Sequence, residues 1–109
     1  MAVQMTQDLK TALDVLVGCA EECERCGDHC IGSREMADCA RLCRDCADIC
    51  WTCSAFVSRG SAFYKQLCSQ CAALCEACAE ECERFDDQEC RRCAQVCRSC
   101  AEQCRTIAA

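Results

Sequence analysis

The sequence predicts an all-α protein, an antiparallel up-down-up-down four-helix bundle with a cysteine-lined core. Three observations predict it. Within each of four clusters, every gap between successive cysteines is three or four residues, the spacing of one helical face. The chain contains no proline. Its turn-like stretches, Ile31-Gly32-Ser33, Ser58-Arg59-Gly60-Ser61 and Phe85-Asp86-Asp87, fall only between the clusters.

The first helix spans about residues 6–31 and carries Cys19, Cys23, Cys26 and Cys30. The second, 34–58, carries Cys39, Cys43, Cys46, Cys50 and Cys53. The third, 62–85, carries Cys68, Cys71, Cys75, Cys78 and Cys82, and the fourth, 87–107, carries Cys90, Cys93, Cys97, Cys100 and Cys104. Thr6, Ser33, Ser61 and Asp86 are the expected N-caps, Asp86 with Glu89 three residues on in a capping-box arrangement. Gly32 and Gly60 are the expected C-terminal stops. Connections this short make successive helices antiparallel. At 109 residues the chain is read as a single domain over residues 1–109.

One heptad, C-A-x-x-C-x-x, recurs from Cys39, Cys71 and Cys93, which writes a coiled-coil seam in cysteine. Alanine beside the cysteine lets helices approach, and Leu42, Leu74 and Val96 widen the apolar flank. Gly27 replaces that alanine after Cys26 and is expected to leave extra room. Beyond the thiols the seam runs through Met5, Leu9, Ala12 and Leu16 on the first helix. It includes Met36 and Val57 on the second, Tyr64 on the third and Ile107 on the fourth. The bundle topology gathers Met5, Leu9, Val57, Tyr64 and Ile107 at one end, a hydrocarbon plug. Cys30, Cys39, Cys82, Cys90, His29 and Met36 gather at the other, the expected mouth. Five layers follow, from Cys30, Cys39, Cys82 and Cys90 at the mouth to Leu16, Cys53, Cys68 and Cys104, with Leu16 where a twentieth cysteine would fit.

Composition excludes several classes of function. The hydrophobic fraction is 52%, but most of it is cysteine and alanine, so thiols must supply much of the core. Eighteen acidic against 12 basic residues give a net charge of -6, the opposite of a nucleic-acid footprint. No apolar run is long enough to span a membrane. Residues 1–8 show no basic region, twin arginine or hydrophobic stretch of a signal peptide, so a cytoplasmic location is expected. There the 19 cysteines stay reduced, which favours metal binding over disulfides.

Disulfides need converging Cβ vectors that successive thiols on one helical stripe rarely provide. Zinc takes four tetrahedral ligands, usually from two short pairs on loops, and the usual iron-sulfur spacings are missing. A thiol oxidoreductase needs one or two CxxC pairs with selectively lowered pKa at a helix N-terminus, whereas these pairs are near-identical and mostly mid-helix. Zinc, iron-sulfur and redox readings remain the alternatives. Cu(I) accepts two or three soft sulfur ligands, so an i, i+4 pair can hold an ion and the remaining thiols can bridge helices. The reading is a non-enzymatic binder of multiple Cu(I) ions, with all nineteen cysteines as ligands. His29, in the last turn of its helix, is either a partner of the helix dipole or a ligand, and Met36 either core or ligand. Trp51, Phe56 and Phe63 are packing or interface residues. The Glu21-Glu22, Glu80-Glu81 and Arg91-Arg92 pairs form the solvated face.

Four clusters of CxxxC and CxxC on a short proline-free chain resemble the bacterial copper storage proteins, cysteine-rich four-helix bundles, and in lacking an export signal their cytosolic branch. The resemblance covers nearly the whole chain. It implies storage of many Cu(I) ions inside each protomer, a homotetramer of bundles, and His29 and Met36 as the match to the histidine or methionine at the copper entrance.

Overall fold

Thr6 opens the first helix as its pattern requires: its hydroxyl oxygen accepts the Leu9 backbone N–H at 3.2 Å. The computed structural model describes residues 2–109. Its helices are α1 (Gln7–Cys30), α2 (Ala37–Ser58), α3 (Tyr64–Cys82) and α4 (Gln88–Ala108), with a 3-10 turn over Arg34–Met36 leading into α2. Among the described residues there is no strand. The molecule is a rod of 46 × 18 × 17 Å.

The termini of the elements fix the topology. His29 meets Asp87 and Cys30 meets Cys90 at one end. Val3 meets Gly60 and Lys65 meets Ala109 at the other. Each helix therefore runs opposite to the one before it. α1 packs most closely on α2, and α3 on α4.

The boundaries differ from the sequence pattern in ways that capping explains. Ser33 makes no side-chain cap bond, so the chain turns through a 3-10 segment before α2 begins. The Ser61 hydroxyl accepts the Phe63 N–H at 3.1 Å, and this tight turn delays α3 to Tyr64. The last turn of α3 tightens, with Arg84 N–H donating to Glu81 and Phe85 N–H to Cys82, so the helix stops at Cys82 instead of 85. Asp87, not Asp86, caps α4: it is extended (φ -144°, ψ 129°) and accepts the Cys90 N–H at 2.9 Å. Asp86 lies one residue outside the first turn and pairs instead with Arg91. Gly32 (φ 95°) and Gly60 (φ 66°) end their helices as expected.

Leu9, Val57 and Ile107 are buried at the plugged end, with Tyr64 half-buried against them. Met5 is exposed, because α1 starts two residues later and the extended segment before it carries Met5 off the seam; Val3 packs on the core instead. That segment is tied down by a 2.7 Å bond from Val3 N–H to the Gly60 carbonyl. Gly27 leaves no vacant space. α2 moves into it, so that a Cβ there would stand 3.4 Å from Cys43 Cβ and 3.7 Å from the Ala40 carbonyl oxygen.

Two glycines should respond oppositely to alanine. At Gly60 a Cβ would lie 2.5 Å from the Val3 carbonyl oxygen at positive φ, so Gly60→Ala should destabilise the fold by about 1–2 kcal/mol. Gly18 is helical with nothing within 4 Å of a new Cβ. Gly18→Ala should stabilise by about 0.5–1 kcal/mol. Urea midpoints at unchanged m-value measure both.

Candidate metal centre

All nineteen cysteines are free and buried, with 0% exposure. The heptad places them inward on every helix, and the ring of four helices brings their sulfurs into contact. Most contacts join helices. Between α1 and α4 the Sγ–Sγ distances are 3.9 Å for Cys19/Cys97, 3.6 Å for Cys23/Cys97, 3.9 Å for Cys23/Cys93 and 3.8 Å for Cys30/Cys90. Between α2 and α3 they are 3.4 Å for Cys39/Cys82, 3.5 Å for Cys46/Cys75, 3.7 Å for Cys50/Cys71 and 2.9 Å for Cys53/Cys68. Cys43 joins the two ladders, 3.7 Å from Cys78 and 4.0 Å from Cys93. Within helices, Cys19/Cys23, Cys71/Cys75 and Cys93/Cys97 lie 3.9–4.0 Å apart.

The sulfurs form overlapping groups of four, each within 4.8 Å of one another, and neighbouring groups share members. Cys26, Cys39, Cys43 and Cys82 form one, and Cys26 and Cys39 recur with Cys30 and Cys90 in the next. The layers expected from the sequence are thus linked through shared thiols. At the plugged side Cys104 stands beside Cys53 and Cys68, and Leu16 is fully buried.

The expected mouth is covered. Cys30, Cys39, Cys82 and Cys90 are all out of solvent, and Met36 and Phe85 pack against the core. Burial pushes the Cys30 thiol up to about 12 and raises Cys90 as well. Both are therefore protonated thiols at neutral pH. His29 is exposed beside them. Its Nε2 lies 2.9 Å from Asp87 Oδ2, an ion pair that raises the imidazole and lowers the carboxyl. On the flanks, Trp51 Nε1 donates to Glu24 across α1 and α2 at 3.2 Å, and Phe56 lies under the Arg59 guanidinium. Phe63 is exposed.

The assignment of Glu22 to the solvated face is incorrect. Glu21 is exposed, but Glu22 is only 5% exposed, held by Arg25 at 3.1 Å. Its place three residues after Cys19 and four before Cys26 already puts it on the inward flank. Glu22 Oε2 and Glu89 Oε2 are both buried without a hydrogen-bond partner, and the neighbouring Glu22 carboxyl, with burial, raises Glu89 to about 7.

An acid raised in the folded state binds its proton more tightly there than when unfolded, so the stabilisation is complete below about pH 4.5 and is lost as pH rises through about 7. Glu89→Gln should therefore be more stable than the parent at about pH 8, with the advantage gone below about pH 4. Thermal unfolding across that range measures it.

Fold and site together define a four-helix bundle whose interior is a connected array of thiols. The family model described as copper storage protein matches residues 5–109, and the chain belongs to that family. Among solved structures it is similar to the Cu(I)-bound copper storage protein BsCsp3, with 37% identity over 94% of this chain and 100% of that one (TM-score 0.90). Apo-Csp3 from Bacillus subtilis is 38% identical over 92% and 98% of the two chains (TM-score 0.88). The copper storage protein from Streptomyces lividans loaded with 10 copper equivalents is 30% identical over 94% and 84% (TM-score 0.88). No curated protein matches the sequence. None of the four helices is long and apolar enough to cross a membrane.

Proposed function

We propose that this chain stores many Cu(I) ions in its lumen as a binding protein without catalytic turnover. Residues 1–109 act as one metal-binding domain, with the nineteen cysteines as ligands and His29 and Met36 marking the entrance. The observation that carries the reading is the sharing of buried sulfurs between neighbouring groups. The family and the copper-loaded relatives support it. So does the net charge of -6, which disfavours nucleic acid as a partner. A cytoplasmic location keeps the thiols reduced, and a homotetramer follows from the family resemblance.

Spacing alone does not choose the metal. A tetrahedral zinc site with Zn–S bonds of about 2.3 Å has sulfurs about 3.8 Å apart, close to the 3.4–4.0 Å found for many pairs. Charge decides. Zn(II) held by four thiolates retains two negative charges in a buried interior, at high desolvation cost. Cu(I) shared at roughly one ion per thiolate neutralises the array. The charge balance favours the second stoichiometry.

Anaerobic titration of the reduced protein against a Cu(I) chelator should reveal many high-affinity equivalents per chain. Saturation at one or two ions would overturn storage. Because burial keeps thiols such as Cys30, raised to about 12, protonated before loading, copper must displace protons there. Chelator competition should show affinity falling from about pH 7.5 to about pH 5.5.

A further inference from the structure

The contact between His29 and Asp87 does more than join two helices. Asp87 uses both oxygens. Oδ1 accepts the Cys90 backbone N–H at 2.9 Å as the N-cap of α4, and Oδ2 lies 2.9 Å from His29 Nε2. The first bond fixes the carboxylate on the helix terminus, so the second fixes the imidazole ring. A carboxylate only accepts, so Nε2 must be the protonated nitrogen. In the neutral ring, Nδ1 then keeps its lone pair, the form that binds a metal ion. The same residues close a loop at the expected mouth: His29 precedes Cys30, Cys30 Sγ lies 3.8 Å from Cys90 Sγ, and Cys90 donates to Asp87. His29 and Asp87 also line a surface cavity of about 250 Å³ with Gln88, Glu89 and Arg92.

We propose that Asp87 is a positioning residue for copper uptake, presenting His29 with Nδ1 free to receive Cu(I) and pass it to Cys30 and Cys90. This rests on the reading of His29 as part of the entrance. Asp87 itself touches no copper. Its role is to select one tautomer and one ring orientation, and its place at the N-cap ties that orientation to the thiol it serves.

Asp87→Asn tests the idea with little loss of capping, since asparagine is as good an N-cap as aspartate. Its amide can donate to Nε2, which leaves the proton on Nδ1 and blocks the metal-binding nitrogen. Stopped-flow loading of the reduced, copper-free protein from a weak Cu(I) chelator at about pH 8 should be slowed by roughly 10-fold in Asp87→Asn, the scale of losses when a partner of a metal ligand is changed. His29→Ala should slow it at least as much, and Asp87→Asn should add nothing in that background. Asp86→Asn, whose parent side chain pairs with Arg91, should load at the parent rate.

If His29→Ala slows loading while Asp87→Asn does not, the positioning role is overturned and the entrance reading stands. If His29→Ala loads at the parent rate, the entrance reading falls and the proposal with it. Nitrogen-15 NMR of the imidazole gives an answer that does not depend on the variants. The neutral ring should be protonated at Nε2 in the parent, and protonation at Nδ1 would overturn the proposal.

Discussion

Sulfur against sulfur is the contact on which the bundle depends. Each inward position carries a side chain only one sulfur deep, so α1 and α4, and α2 and α3, can be no further apart than opposing thiols allow. A leucine seam would hold helices apart and fill the space with inert hydrocarbon. Here close helix approach is achieved with alanine and, at Gly27, with no side chain at all. Free cysteine is apolar enough to be buried without paired charges, so the copper-free protein can fold around its own thiols. The cost is a core whose large buried apolar side chains are Leu9, Leu16, Val57 and Ile107.

That division also separates stability from chemistry along the rod. At the hydrocarbon end the extended segment at Val3 is fastened to Gly60. At the thiol end the helices are joined by polar contacts: His29 with Asp87 and Arg98 with Glu83. Exposed ion pairs contribute little individually. The thiol end is thus held by weaker links than the plugged end, as the proposed entrance there requires.

The periodicity made the fold and the lining legible, because a three-or-four spacing admits only one helical face and every cysteine occupies it. What the sequence left obscure lies where helices begin and end. Asp86 and Asp87 are both acceptable caps, and only the tightened turn after Cys82 selects Asp87. Met5 fits the seam by arithmetic, but the helix begins after it. Glu22 was readable from its spacing and was obscured by its charge, since a carboxylate is ordinarily solvated and what holds this one in the fold is Arg25 on its own helix. The tie between His29 and Asp87 spans 58 positions, which no local pattern encodes.

The hydrocarbon plug has a further consequence for the order of events. Leu9, Val57 and Ile107 fill that end and the thiols occupy the rest of the interior, so under the proposed entrance an ion meets Cys30 and Cys90 before Cys53, Cys68 and Cys104. On that proposal the deepest thiols are reached only past the others, and copper held there exchanges most slowly.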